Sequence, residues 1–173
     1  LRCAPDGRLR DVDQRIVAKS RVSWPPVEVP DAWLVEDERD EVRVDDSAIE
    51  RMRAGGGRIL HNLRRVAWPH RWEHDKGPED LLATAQQWTN KLGLRWIILG
   101  EQFSNIPPAM QQFKSNFADA IDHVGFEPDR ERYWQHLLHC DWVLSTAKHE
   151  FFGIAVVEAM FAGCLPWLPG ALS

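Results

Sequence analysis

The sequence predicts an α/β fold in which a parallel sheet carries helices on both faces. From residue 58 onward, short apolar segments of strand type alternate with longer amphipathic segments. Such alternation is typical of βαβ units, whose strands run parallel. Hydrophobic residues make up 44% of the 173 residues, which is enough to bury the core of one domain.

The elements can be placed in order along the chain. Strands are predicted within 58–68, 94–100, 122–126 and 141–147, and a last one begins near 164–169. Helices are predicted within 77–93, 107–120, 128–140 and 153–163. The first helix has Pro78 at its first position, acids in its first turn and Gly93 at its end. Its apolar stripe comprises Leu81, Leu82, Ala85, Trp88 and Leu92, and the third helix is expected to turn Tyr133, Leu137 and Leu138 inward.

Composition argues against several classes of function. A net charge of -5 gives no overall attraction to nucleic acid. An odd number of cysteines, three, without paired spacing argues against a disulfide framework and favours a reducing compartment, which predicts a cytoplasmic protein. No apolar run approaches the roughly 20 residues of a membrane span, so no membrane association is expected.

Parallel sheets bind ligands beyond the carboxyl ends of their strands, which selects the turns near 68–77, 100–106, 124–128 and 146–153. In the last of these, the helix start offers Phe152 and Gly153 where a capping side chain would stand, which predicts a phosphate site on backbone N–H groups. Glu150 is expected to face a neutral part of such a ligand, such as sugar hydroxyls. Glu158 lies among apolar residues and needs donors, for which ribose hydroxyls would serve. The alternative is that Glu158 pairs with a core arginine or a backbone N–H group and that Glu150 is surface.

The 68–77 turn holds two cations, Arg71 and Lys76, that suit a diphosphate, although each alone could be a surface residue. It also contains His70, Glu73 and His74 in the H-x-x-E-H pattern of zinc peptidases. That chemistry needs a helix, and the prolines on either side of the pattern disfavour one. A zinc-dependent hydrolase therefore stays an alternative of another class.

Two blocks of sequence together resemble a family. "HEFFGIAVVEA" resembles the E-x7-E element of retaining glycosyltransferases of the GT-B fold, and "R…KG" at Arg71 to Gly77 resembles their phosphate element. "WPHRWEHDKGPEDLL" and "STAKHEFFGIAVVEAMFAGCLP" are more closely similar to the tRNA-queuosine α-mannosyltransferase family. The resemblance covers about residues 55–170. One departure is His70, which follows Pro69 where the wider superfamily has a small apolar residue and a glycine.

This resemblance implies a Rossmann-like domain, the C-terminal half of a GT-B fold, that transfers mannose from GDP-mannose to queuosine of tRNA with retention. It implies no metal and no cofactor besides the donor substrate. Glu150, Arg71 and Lys76 would be catalytic, with the two cations neutralising the donor diphosphate. The remaining donor-binding residues would be His149, Phe152, Gly153, Ile154 and Glu158, and further candidates are His70, Thr146, Gly125 and Phe126.

The resemblance also divides the chain. Residues 1–30 are predicted to be a remnant of the N-terminal acceptor domain, 31–54 an acidic connector, and 55–173 a nucleotide-sugar domain truncated at its C-terminal end. The tRNA would be held through the missing N-terminal domain, and the basic run from Arg51 to Arg65 could touch its phosphates. Other donors of the superfamily, such as UDP-sugars or GDP-glucose, and a non-catalytic module that binds a nucleotide or a partner, stay open.

Overall fold

A five-stranded parallel sheet organises the part of the chain that the computed structural model describes, which is residues 27–29, 34–36, 42–44, 64–150 and 152–170. Its strands are β3 (Arg65–Trp68), β4 (Arg95–Leu99), β5 (Ile121–Gly125), β6 (Trp142–Leu144) and β7 (Leu165–Trp167), in the spatial order β5-β4-β3-β6-β7. Val66 pairs with Trp96 on one side and with Trp142 on the other. The order reverses between β3 and β6, and this reversal is the switch point at which such sheets bind ligands.

Four helices connect the strands: α1 (Pro78–Leu92), α2 (Pro108–Asn116), α3 (Arg130–Leu138) and α4 (Ile154–Phe161). Alternation along the strands sends neighbouring side chains to opposite faces. Val66, Trp68, Trp96 and Ile98 pack with α1 and α2, whereas Ala67, Ile97 and Leu99 pack with α3 and α4. The predicted sheet with helices on both faces is therefore confirmed.

Helix ends follow the sequence signals. Gly77 and Gly93 flank α1 in left-handed conformations, with φ of 64° and 63°. In α3 the Asp129 side chain accepts hydrogen bonds from the N–H groups of Glu131 (2.9 Å) and Arg132 (3.2 Å). Helices α1 and α3 therefore begin at defined residues, which sets the length of the turn before each of them.

The packing differs from prediction at two helices. In α1, Leu92 is 51% exposed, so the apolar stripe ends before the last turn. Thr89 lies on the buried face instead, because its hydroxyl accepts a hydrogen bond from Trp96 Nε1 at 3.0 Å. In α3, Leu137 is buried as predicted, but the large buried side chain is Trp134, while Tyr133 and Leu138 are only partly buried.

The segment predicted as an acidic connector contains two short strands, β1 (Leu34–Glu36) and β2 (Val42–Val44), which pair antiparallel. The other residues of 31–54, most of 1–30 and the predicted strand residues 58–63 lie outside the described part, so the domain boundaries stay predictions. Within the described residues, no helix combines the length and apolar character that a membrane crossing requires.

Replacing Gly77 by alanine should destabilise the fold far more than the same change at Gly93. Both residues have nearly the same left-handed φ, which costs an alanine about 1–2 kcal/mol. A Cβ on Gly77 would lie only 2.1 Å from the Thr146 carbonyl oxygen, whereas a Cβ on Gly93 would meet Arg64 Nη1 at 3.5 Å. Urea unfolding should show a difference between the two variants of about 2 kcal/mol or more; equal losses would contradict the close approach.

Candidate functional site

The two turns singled out by the sequence lie side by side at the switch point of the sheet. One follows β3 and runs to Gly77, and the other follows β6 and runs to Gly153. β3 and β6 are neighbours, with Ala67 opposite Val143. The carboxyl ends of both strands therefore open onto the same edge, as the sequence predicts.

Thr146, one of the further candidates, links the two turns through hydrogen bonds. Its hydroxyl donates to the Lys76 carbonyl at 2.8 Å and accepts from Trp68 Nε1 at 2.9 Å. The side chain is buried, so both bonds are shielded from water. The Lys148 N–H adds a second link to the Asp75 carbonyl at 2.8 Å. Together these bonds fix the backbone on both sides of Lys76.

The Lys76 ammonium joins the two sequence motifs directly. Its Nζ lies 3.2 Å from Glu150 Oε2, 3.3 Å from Asp75 Oδ2 and 3.1 Å from the His149 carbonyl oxygen. Only 11% of the Lys76 side chain is exposed, against 21% for Glu150. The ammonium is therefore a largely buried positive charge with two carboxylates and a carbonyl oxygen around it.

The start of α4 lies beside Glu150. Gly153 has a φ of 70°, and no hydrogen bond from a side chain caps the helix within the described residues. A Cβ on Gly153 would lie 3.4 Å from Glu150 Cγ. Phe152, Gly153 and Ile154 thus form a helix start of the kind that binds anions, next to the Lys76–Glu150 pair.

Glu158 lies on α4 and is 6% exposed. Arg130 Nη2 pairs with its Oε1, and the Tyr133 hydroxyl donates to its Oε2 at 2.7 Å. An arginine partner, one of the alternatives, is therefore present, although Arg130 is half-exposed and not a core residue. A carboxylate accepts about four hydrogen bonds, so this pairing leaves acceptor capacity for further donors.

Arg71 lies apart from the Lys76 pair, on a neighbouring cleft of about 230 Å³. The cleft is bounded by residues that follow β3, β4 and β5, including Gly100 and Phe126, and by Tyr133 of α3. The Arg71 side chain is 56% exposed and pairs with Glu73 at 3.2 Å. Gly125 ends β5 immediately before Phe126. The structure therefore places the predicted site residues along one edge of the sheet, in two adjoining parts.

His70 is buried at the same edge. Its Nε2 lies 3.0 Å from Ser145 Oγ, and its ring packs edge-on against Trp68 at 5.3 Å between centroids. Burial lowers the pKa of His70 from 6.5 to about 4, an effect that the nearby Glu150 charge partly opposes. The ring is therefore neutral at physiological pH.

The zinc pattern does not form a metal site. His70 itself is not helical, Glu73 is extended at φ -124° and ψ 156°, and His74 begins a three-residue 3-10 helix. His74 pairs with Glu79 at 3.6 Å instead of facing His70. Residues 64–150 and 152–170, together with the short described segments before them, bring together no group of three or more metal-binding side chains.

Four residues at this edge were not predicted to belong to the site. Asp75 and Ser145 contact predicted residues from positions directly beside the motifs, and proximity in sequence was the signal for both. Arg130 and Tyr133 contact Glu158 from α3. Their only signal was the buried carboxylate itself, which requires a cation or donor from another element.

Comparison with known proteins identifies the family. The model for "Glycosyl transferases group 1" matches residues 59–166. The chain belongs to this glycosyltransferase family. The chain is also 32% identical over 173 residues to a tRNA-queuosine alpha-mannosyltransferase of Drosophila melanogaster, in a match covering 99% of this chain and 42% of that protein. The predicted resemblance is confirmed, and this glycosyltransferase chain spans less than half of that relative.

Solved structures give the fold of this glycosyltransferase. HepE of Anabaena, in complex with UDP and glucose, is 21% identical with a TM-score of 0.51, covering 73% of this chain and 34% of HepE. The C-terminal domain of LpcC, a group 1 glycosyltransferase of Francisella tularensis, is 19% identical with a TM-score of 0.51, covering 61% of this chain and 57% of that domain. The likeness shows the fold alone and confirms the predicted GT-B class.

His70 should make the protein less stable in acid. Below pH 6.5 an unfolded histidine takes up a proton, whereas folded His70 stays neutral down to about pH 4, so stability is lost as pH falls through this window. Between pH 7 and 4.5 this residue should remove about 2–3 kcal/mol. In a His70→Gln variant, chemical unfolding at the two pH values should show a loss smaller by about 2 kcal/mol. An equal loss in both proteins would contradict it.

Proposed function

We propose that this chain is the donor half of a retaining glycosyltransferase that moves mannose from GDP-mannose to queuosine of tRNA. The family membership and the name of the Drosophila melanogaster relative support the reaction class and the choice of sugar and acceptor. The fold supports the donor role, because the sheet order creates a ligand edge at its switch point. The proposal extends to the whole protein, of which this chain supplies the donor edge.

One observation carries the proposal: the ion pair between Lys76 and Glu150. These residues belong to two motifs that lie more than 70 positions apart, and they meet at 3.2 Å. In a nucleotide sugar, the anionic diphosphate and the neutral sugar are directly bonded. The Lys76 ammonium and the start of α4 suit the anionic diphosphate, and the Glu150 carboxylate beside them suits the neutral sugar hydroxyls.

The chemistry follows from these charges. As the bond to the sugar breaks, negative charge grows on the leaving diphosphate. Lys76, the start of α4 and Arg71 would stabilise this charge, and no metal is needed in the proposed reaction. When the donor binds, the Lys76 ammonium would exchange its Glu150 contact for a phosphate oxygen. Glu150 would then accept from sugar hydroxyls.

The two ends of the donor are assigned to the two acids. Glu150 lies in the turn before α4, beside Gly153, and would contact the transferred hexose. Glu158 lies deeper on the same helix and would accept the ribose hydroxyls with its remaining lone pairs. His149 would act at the diphosphate end of the donor through its backbone, because its carbonyl oxygen accepts a hydrogen bond from Lys76 Nζ and so orients the ammonium.

The full-length protein should transfer mannose to queuosine-containing tRNA when it is offered a panel of sugar nucleotides. Mass spectrometry of the tRNA nucleosides would identify the added hexose. We expect GDP-mannose to be the best donor and tRNA lacking queuosine to be inert. Transfer from a UDP-sugar, as the UDP complex of HepE would favour, would correct the donor while keeping the reaction class. No transfer from any donor would overturn the proposal.

Lys76→Ala should lower kcat/KM by about 100-fold or more, because the leaving diphosphate loses a shielded cation. Glu150→Ala should lower it as well, through the sugar. Lys91→Ala is the matched control: Lys91 lies in the last turn of α1, over the Trp88 ring at 5.3 Å, and not at the carboxyl edge of the sheet. Steady-state transfer assays compare the three. Unchanged transfer in Glu150→Ala would overturn the role of Glu150 at the sugar.

Treatment with EDTA should leave the transfer rate unchanged, because the charges of Lys76, Arg71 and the α4 start are proposed to replace a metal at the diphosphate. The measurement is the initial rate before and after chelation and dialysis. A loss of activity restored by a divalent cation would contradict this part of the proposal.

A further inference from the structure

Arg130 is fixed at four points, although it begins helix α3 at the protein surface. Its Nη2 pairs with Glu158 and also donates to the Glu28 carbonyl oxygen at 3.0 Å. Its guanidinium carbon lies 4.9 Å from the centre of the Tyr133 ring and 5.3 Å from that of Trp134. A guanidinium stacked on aromatic rings and bonded on its edge keeps one orientation.

The backbone that Arg130 holds belongs to a distant part of the sequence. Residues 27–29 pack against the apolar cluster beneath α3 and α4, through Val27 and Val29. Glu28 and Arg130 are 102 positions apart. Arg130 therefore connects this segment to Glu158, which lies on a different element from both.

Tyr133 completes the support of Glu158 and reaches the cleft. It lines the cleft that Arg71 borders, and it donates to Glu158 Oε2 at 2.7 Å. Burial and the neighbouring Glu158 raise the pKa of Tyr133 well above its ordinary value, so the hydroxyl keeps its proton and remains a donor. Arg130 on one oxygen and Tyr133 on the other leave both Glu158 oxygens with a free acceptor direction.

We propose, on the basis of the function proposed above, that Arg130 is a positioning residue for ribose recognition. It holds the Glu158 carboxylate in the orientation that accepts two adjacent ribose hydroxyls, and it ties that orientation to the packing of segment 27–29. Arg130 itself does not touch the ligand. A loss of Arg130 leaves a buried carboxylate without its cation, and such a group turns or recruits water to find new donors.

The test separates positioning from mere support of the fold by measuring hydroxyl recognition. Calorimetric titration of the full-length protein with GDP and with 2′,3′-dideoxy-GDP gives two dissociation constants. The value for the dideoxy nucleotide divided by the value for GDP is the ratio of interest, and UDP with its dideoxy analogue gives a second such ratio. Hydrogen bonds to a charged acceptor lead us to expect a ratio of at least about 10 in the unchanged protein. A loss of stability alone lowers the amount of folded protein and leaves the ratio as it was.

Arg130→Met should reduce the ratio to about 2 or less, and Arg130→Lys, which keeps the charge without the fork, should give an intermediate value. The matched control is Arg132→Met on the same helix, because the 71% exposed Arg132 pairs with Asp129 and does not contact Glu158. We expect Arg132→Met to keep the original ratio.

Val29→Asp, which disturbs the packing of segment 27–29 away from the cleft, should reduce the ratio as well.

Each contrary result has its own meaning. If the unchanged protein binds neither nucleotide, the proposed function and the role of Arg130 fall together. If it prefers ribonucleotides and Arg130→Met keeps that preference, the role of Arg130 is overturned and the proposed function stands. An unchanged ratio in Val29→Asp would overturn the tie to segment 27–29.

Discussion

The buried hydroxyl of Thr146 is the interaction on which the candidate site depends. It bonds to the Trp68 ring in strand β3 and to the backbone of Lys76 in the turn beyond it, from a position just past strand β6. Gly77 allows the two backbones to approach, since any side chain there would overlap the Thr146 carbonyl. Because this contact lies at the switch point, it decides which groups face a ligand. The cation of one turn and the acid of the other share a site because Thr146 joins their backbones.

Much of the fold could be predicted from local signals. Strand β4 contains an apolar run from Trp96 to Leu99, and α1 has a proline at its start and a glycine directly after its end. These signals are properties of consecutive residues, so they can be read from the local sequence. Burial on a helix face was harder, because it depends on what lies opposite. Trp134 is buried because other core residues pack against it, whereas Leu92 is exposed. The local sequence pattern predicts neither outcome.

The residues of the candidate site also divide into those that the local sequence predicts and those that it does not. Lys76, Glu150 and the start of α4 were predictable because each lies in a motif at the end of a strand, and parallel topology brings strand ends together. Arg130 was not predictable as an individual residue. Only the need of Glu158 for a cation could be inferred, since burial requires one but does not say which element supplies it. His70 shows a third case, in which a matching pattern of residues lacked the helix that its chemistry needs.

The surroundings of Lys76 also bear on how quickly the proposed donor would associate. One ammonium faces two carboxylates, Asp75 and Glu150, so these three side chains present no net positive charge to an approaching diphosphate. Long-range attraction is then weak, and association gains little from electrostatic steering. Salt, which screens such steering, should hardly change the association rate. In the proposed reaction, selectivity for an anion would arise at contact, when a phosphate oxygen takes the place of a carboxylate, and it would appear as slow dissociation of the donor.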